Sequence, residues 1–166
     1  MKTLALILSL VVAPALVQAP PGSLELKGPD GQAATLSAVD LAALPHVTLT
    51  VKQHDQTHTF SGPLLGIVLA KVGAVSGPAL KGAELATVAR VTAADGYQVV
   101  LALSDFDAGV RPERTIVADQ EDGAPLKADG PLRLVVEGDL KPARSARSVV
   151  KVEVLRLATA PKPTAH

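Results

Sequence analysis

Two arginines near the C-terminal end are the first residues of this sequence whose type and spacing could do chemistry. Arg144 and Arg147 lie three positions apart in a serine-containing loop before the last predicted strand. A guanidinium presents a planar fork of donors that matches a phosphate or a carboxylate. The pair therefore predicts an anion-binding loop, with a solvated, charged loop as the simpler interpretation.

Arg133 is a different case because it lies inside an apolar run, residues 132–136. A charged group in such a run needs a partner. The sequence offers Glu137, Asp129 or a ligand, and a structural salt bridge is the favoured interpretation.

Two histidines at the tip of a predicted hairpin form the cluster with metal-ligand character. His54 and His58 are four residues apart, with Asp55 between them. A hairpin could place the two rings side by side, and neutral imidazole suits copper, zinc or nickel. The alternative is an exposed polar turn. His46 could complete the cluster only if its strand folded back.

Asp95, Gly96 and Tyr97 form a turn that enters a strand, and Tyr97 is the sole tyrosine of the chain. A turn followed by an amphipathic ring with a hydrogen-bonded hydroxyl explains this segment without any function.

Composition excludes several classes of protein. The 166 residues contain sixteen basic and sixteen acidic side chains and no cysteine. A nucleic-acid binder normally shows a basic footprint, so we expect no nucleic-acid partner. Thiolate metal sites, disulfides and a cysteine nucleophile are impossible. A phosphate-cradling glycine loop, a Ser-His-Asp order and a His-Glu-x-x-His helix are also absent from the sequence.

The first nineteen residues have the pattern of a secretory signal peptide. A positive start at Lys2 is followed by an apolar run and by small residues at a cleavage site. The run is shorter than the roughly 20 apolar residues of a membrane span, so we expect no stable membrane insertion after cleavage. The sequence therefore predicts a periplasmic protein with a leader (1–19), a single domain (20–158) and a disordered tail (159–166).

The periodicity predicts an α+β domain. Alternating apolar residues predict strands at 24–27, 34–36, 47–52, 58–60, 85–92, 97–103, 115–118, 132–136 and 150–157. Helices are predicted at 38–44, after the capping residues Ser37 and Asp40, and at 64–72, after Pro63. Residues 53–57 are expected to form the hairpin turn. Because strands and helices do not alternate strictly, the sheet should be mixed or antiparallel.

The order of several motifs resembles the molybdopterin-binding domain of the sulfite-oxidase type. The motifs are Phe60-Ser-Gly-Pro-Leu-Leu, Ala94-Asp-Gly-Tyr, Asp122-Gly-Ala-Pro-Leu, Gly130-Pro-Leu-Arg-Leu-Val-Val and Arg147-Ser-Val-Val. The resemblance covers residues 24–157, and it implies a mixed, mainly-β fold with about two helices.

The same resemblance implies a molybdopterin cofactor held by residues around the pocket. Mapped onto this chain, the cofactor-binding residues would be Asp95, Tyr97, Asp129, Arg133, Arg144 and Arg147. The His54 to His58 turn would stand over the metal. Catalytic members of the family bind molybdenum through a cysteine in this turn, and the turn here has no thiol. Where the larger enzymes have His-Gly, this chain has Asp129-Gly130, which places an anion near an anionic cofactor.

Three functional hypotheses follow. The first is a periplasmic, molybdopterin-dependent oxidoreductase-like protein without normal sulfite-oxidase activity. The second is a non-enzymatic periplasmic module that binds a small anion, a peptide or a protein partner, such as a redox protein. The third is a metal-binding module centred on His54 and His58.

Overall fold

The computed structural model describes Pro20 and residues 22–53, 55–127 and 129–157 of the chain. The predicted leader, the predicted tail and His54 lie outside these residues. Among the described residues, no helix has the length and apolar character needed to cross a membrane.

Eleven strands and two short α-helices make up the described part of the domain. The strands are β1 (Leu24–Lys27), β2 (Ala33–Leu36), β3 (His46–Gln53), β4 (Gln56–Pro63), β5 (Thr87–Ala93), β6 (Gln98–Ala102), β7 (Thr115–Ala118), β8 (Gln120–Glu121), β9 (Ala124–Pro125), β10 (Arg133–Val136) and β11 (Val149–Arg156). The helices are α1 (Ala38–Ala42) and α2 (Leu65–Ala70), with short 3-10 helices at Gly77–Ala79, Gly82–Ala86, Leu103–Asp105 and Pro142–Arg144. This content confirms the predicted α+β class.

The strands form three sheets. The largest has the order β2-β1-β11-β5-β6, in which β1 and β11 are parallel and all other neighbours are antiparallel. A second sheet has the order β3-β4-β8-β9, and β10 pairs with β7 in the third. A bridge between Leu64 and Ile116 connects the end of β4 to β7. The mixed sheet agrees with the prediction.

Two hydrophobic clusters hold these layers together. The larger one lies under the five-stranded sheet and includes Leu65, Val68 and Leu69 of α2, whose helical spacing the sequence had shown. The smaller one surrounds the fully buried ring of Phe60, with residues of β3, β7 and β10 packed around it. Both clusters border the central pair β7 and β10, which is buried along its whole length.

Local signals set most of the element boundaries. The capping box predicted at Ser37 and Asp40 is present: the Ser37 hydroxyl accepts from Asp40 N, and Ser37 N donates to the Asp40 carboxylate. Because the side chains of these two residues satisfy backbone N–H groups at the helix start, α1 begins at a defined residue although it is only five residues long.

The predicted boundaries at the tip of the β3–β4 hairpin and at the start of β5 are wrong. The hairpin turn was expected at 53–57, but β3 runs to Gln53 and β4 begins at Gln56, since backbone pairing continues through polar residues at the tip. Residues 85–86, expected in a strand, belong to the 3-10 helix Gly82–Ala86. That helix begins at a glycine with φ of 58°, and Thr87 Oγ1 donates to Glu84 Oε2 at its end.

Alanine substitutions at Gly62 and Gly66 are expected to change the free energy of unfolding in opposite directions. A Cβ at Gly62 would lie 2.1 Å from the carbonyl oxygen of Val117, which is fixed in β7. We therefore expect Gly62→Ala to lower the free energy of unfolding by about 1–3 kcal/mol or more. A Cβ at Gly66, inside α2, would meet its nearest atom, of Phe106, at an ordinary 3.9 Å.

Gly66→Ala is therefore the control and should raise the free energy of unfolding by about 0.5–1 kcal/mol, through helix propensity. Urea unfolding of both variants tests the pair. Equal stability of Gly62→Ala and the unmodified protein would contradict the close approach of β4 to β7.

Candidate functional site

Three loops meet at Ser148, just before β11. Ala94 N donates to Ser148 O at 2.9 Å, and Ser148 N donates to Asp129 O at 2.7 Å. The turn before β6, the turn before β10 and the loop before β11 are therefore joined at one residue. Ser148 has a φ of 49°, in the left-handed region that few non-glycine residues adopt.

Gly130 allows this close approach. Its φ is 79°, and a Cβ on it would lie 2.2 Å from Ser148 Oγ and 2.7 Å from Ser148 Cα. Only a glycine leaves room for the two loops to touch here.

Asp129 links two arginines beneath the junction. Its Oδ2 forms an ion pair with Arg133 Nη1, and its Oδ1 lies 3.1 Å from Arg147 Nε. Arg133 is almost fully buried, whereas the side chain of Arg147 is 63% exposed. Of the partners considered from the sequence, Asp129 is thus the one that Arg133 uses. Glu137 instead pairs with Arg114.

The Arg133 guanidinium also lies over the ring of Phe60, 4.7 Å from its centroid. Burial lowers the pKa of Arg133, and the charges of Asp129 and Glu121 oppose that effect. An arginine stays protonated in any case. The trio Arg133, Asp129 and Arg147 therefore carries two positive charges and one negative charge, and the excess positive charge reaches solvent at Arg147.

A groove of about 240 Å3 opens at this exposed end. Asp95, Tyr97, Ala143 and Arg147 are among its lining residues. The Tyr97 hydroxyl donates to Ala143 O at 2.7 Å, and Tyr97 N donates to Asp95 Oδ1 at 2.9 Å. The ring of Tyr97 is about half exposed and forms one wall. The structure thus places Asp95, Tyr97 and Arg147, three of the residues that the resemblance assigned to a cofactor, along one groove, and Asp129 contacts Arg147.

Arg147 keeps its hydrogen-bonding capacity. Its Nε pairs with Asp129 Oδ1 at 3.1 Å, whereas no hydrogen bond among the described residues involves its two Nη atoms. An anion in the groove could therefore receive its forked donors.

Arg144 does not share this role in the structure. Its Nε and Nη2 donate to Asp139 at 2.9 and 2.5 Å, and its Nη1 donates to Asp105 at 3.3 Å. The hydrogen bonds to Asp139 raise the pKa of Arg144. Two carboxylates thus already occupy the donors that the sequence had suggested for an anion.

His58 lies away from the groove, on β4. Its Nδ1 is 3.2 Å from a carboxylate oxygen of Glu121 and 3.2 Å from one of Asp122. Nothing in the sequence had marked Glu121 and Asp122 as neighbours of His58. The pairing of β4 with β8, which no local pattern reveals, brings them there.

His46 does not approach His58, because the two lie towards opposite ends of the β3–β4 hairpin. Its Nδ1 lies 2.8 Å from Leu44 O and its Nε2 lies 3.0 Å from Asp119 Oδ2. With an acceptor at each ring nitrogen, the doubly protonated ring fits this position best. Burial opposes the charged form, but the hydrogen bonds to Asp119 and Leu44 outweigh it, and the pKa of His46 is raised.

A larger groove of about 530 Å3 was not anticipated. It lies between the β3–β4 hairpin, with Lys52 and Asp55, and the segment 138–142. Lys52 and Asp55 pair with each other at 3.2 Å, so its charged groups are already matched. Pro142 and Ser145 line both this groove and the one at Arg147.

The fold is similar to that of a solved enzyme. In the crystal structure of the sulfane dehydrogenase SoxCD from Paracoccus pantotrophus, one chain matches with a TM-score of 0.61 and 18% sequence identity. The match covers 81% of this chain and 38% of that chain. It confirms the predicted mixed, mainly-β fold of the sulfite-oxidase type. No protein-family model matches the sequence, and no curated protein does either.

The residues of the site do not fit a molybdenum pterin held as the sequence resemblance implies. The chain has no cysteine to supply a metal thiolate. Arg133 and Arg144, two of the three arginines assigned to anionic groups, are engaged by carboxylates. The groove at Arg147 is smaller than the roughly 300–1,000 Å3 of a typical cofactor or drug-sized site, whereas the 530 Å3 groove beside the β3–β4 hairpin lies within that range.

The buried ion pair predicts a large and non-additive effect on stability. Arg133→Met leaves Asp129 without its buried partner, and we expect the free energy of unfolding to fall by about 3–5 kcal/mol. Adding Asp129→Asn to Arg133→Met should cost less than the sum of the two single changes, because the stranded charge is removed. Urea unfolding of the unmodified protein, the two single variants and the double variant measures both effects. A loss below about 1 kcal/mol for Arg133→Met would contradict the dependence of stability on this buried ion pair.

His46 predicts a pH-dependent contribution to stability. Because its pKa is higher in the folded state, the contribution is full below the unfolded value of about 6.5 and is lost as the pH rises through the folded pKa. The stability advantage of the unmodified protein over His46→Gln should therefore be larger at pH 5.5 than at pH 8.5. Denaturant unfolding at both values decides this, and an equal or reversed difference would contradict it.

Proposed function

We propose that this protein is a periplasmic binding module for a small organic anion, built on a fold shared with an oxidoreductase. The single observation that carries the proposal is the exposed guanidinium of Arg147 in the groove beside Tyr97, whose Nε pairs with Asp129 and whose two Nη atoms remain for a ligand. The leader pattern of residues 1–19 supports export.

The charge balance supports an anion as the ligand. Asp129 is shared between Arg133 and Arg147, so the trio retains one positive charge. An anion bound by Arg147 would balance this charge without displacing the buried pair. Asp95 also lines the groove, so the anionic group must bind on the Arg147 side.

The groove also favours a ligand of limited size. At about 240 Å3 it can take a carboxylate with a small apolar part that packs on the Tyr97 ring. Tyr97 and Asp95 hold their positions through hydrogen bonds to the backbone of the same region. Their preorganisation would reduce the entropy cost of binding.

Binding of acetate, benzoate and inorganic phosphate, followed by calorimetry and by amide chemical shifts, tests the proposal. Arg147→Ala should weaken binding of the preferred probe about tenfold or more, since a charged hydrogen bond is worth about 1.5–3 kcal/mol. Asp95→Asn should strengthen it about twofold to fivefold by removing a like charge. The control is Arg144→Ala, which removes an arginine of the same loop that does not line the groove and has its donors engaged by Asp139 and Asp105, and the affinity of this variant should stay within about twofold.

A second measurement separates this proposal from a molybdopterin-dependent oxidoreductase, which the fold likeness favours. The protein is expressed with its leader in a host that makes molybdopterin, and its molybdenum and pterin contents are measured. We expect neither. Stoichiometric pterin that is lost in Arg144→Ala/Arg147→Ala would support the oxidoreductase instead and overturn the binding module.

A further inference from the structure

The turn between β8 and β9 is fastened onto β4 beside His58. Glu121 pairs with Phe60 across the two strands, and Asp122 N donates to Thr59 O at 2.8 Å. These contacts place two consecutive carboxylates next to an imidazole that is 64 residues away in sequence. His58, Glu121 and Asp122 are called the His58 cluster below.

The spacing within the cluster is that of ligands around one ion. His58 Nδ1 lies 3.2 Å from an oxygen of each carboxylate, and all three ligand atoms lie within 4.8 Å of one another. Zinc binds nitrogen and oxygen ligands at about 2.0–2.2 Å, so neighbouring ligands in a tetrahedral site lie roughly 3.3–3.6 Å apart. The two nitrogen-to-oxygen distances of 3.2 Å lie just below that range, so a small outward shift of the side chains would admit an ion.

Thr59 fixes one of the carboxylates from behind. Its backbone N and its Oγ1 donate to Asp122 Oδ1 at 2.8 and 3.0 Å, while Oδ2 of the same group faces His58. Hydrogen bonds that orient a ligating carboxylate in this way are typical of metal sites. Binding would therefore need little rearrangement of Asp122.

The donor set indicates the class of ion. One imidazole nitrogen and two carboxylate oxygens suit a divalent first-row transition metal, whereas calcium and magnesium prefer oxygen alone. The side chains of His58 and Glu121 are about a quarter to a third exposed, so an ion can enter and keep water as further ligands.

We propose that the His58 cluster is a binding site for a divalent transition-metal ion such as zinc. The site differs from the predicted pair His54 and His58, because its second and third ligands come from the β8–β9 turn. It shares no residue with the groove at Arg147, so it stands or falls independently of the anion-binding proposal.

Calorimetric titration of the metal-free, full-length protein with zinc chloride tests the site. We expect one zinc ion per chain. His58→Ala, Glu121→Gln and Asp122→Asn should each weaken binding at least tenfold. The matched control is His46→Gln, which removes the other histidine-carboxylate pair of this sheet, and its affinity should stay within about twofold.

Two further variants distinguish ligands from neighbours. Thr59→Val removes a positioning hydroxyl and should weaken zinc binding about 10–100-fold while the circular dichroism spectrum stays unchanged. In a His54→Ala background, Glu121→Gln and Asp122→Asn should still weaken zinc binding. The proposal is overturned if zinc does not bind at millimolar concentration, if binding survives Asp122→Asn, or if magnesium binds more tightly than zinc.

Discussion

The burial of one guanidinium governs the arrangement of the site. Arg133 is the first residue of β10, a strand with no exposed face, so its charge must be compensated inside the protein. Asp129 supplies the opposite charge and the Phe60 ring supplies a π face. Compensation therefore draws the turn before β10 and the hairpin strand β4 to the same point. The carboxylate of Asp129, which pairs with Arg133, also pairs with Arg147 at the surface of this arrangement.

Arg133 and the His58 cluster both lie near the ring of Phe60. The Arg133 guanidinium lies over this ring, and the ring centroids of His58 and Phe60 are 6.3 Å apart. Glu121 belongs to the cluster, yet its charge also acts on Arg133. A cation bound at His58 would weaken that attraction and change the field at the Asp129 pair. The two sites are separate in their ligands but connected through one acidic side chain and one ring.

Sequence patterns predicted the features that depend on near neighbours. The alternation at 47–52 and the capping box at Ser37 could be inferred from local spacing, and Asp129 was one of the three partners considered for Arg133. The sequence could not reveal pairings set by sheet topology. Arg144 meets Asp105 across 39 residues, and His58 meets Asp122 across 64. For this reason Glu121 and Asp122 were not linked to His58. Arg144 was assigned to a ligand although Asp139, five residues away, accepts from two of its nitrogens.

The strand order of the largest sheet has a consequence for the order of folding. Its middle strand, β11, is the last to be synthesised, and it lies between β1, to which it is parallel, and β5. Until Val149 and the residues after it are available, β1 and β5 have exposed edges and the sheet consists of two separate halves. The sheet can therefore form completely only after β11 has been synthesised, and until then one edge of β1 and one edge of β5 stay unpaired. A product that stops before β11 would expose two unpaired strand edges and would be prone to aggregation and proteolysis.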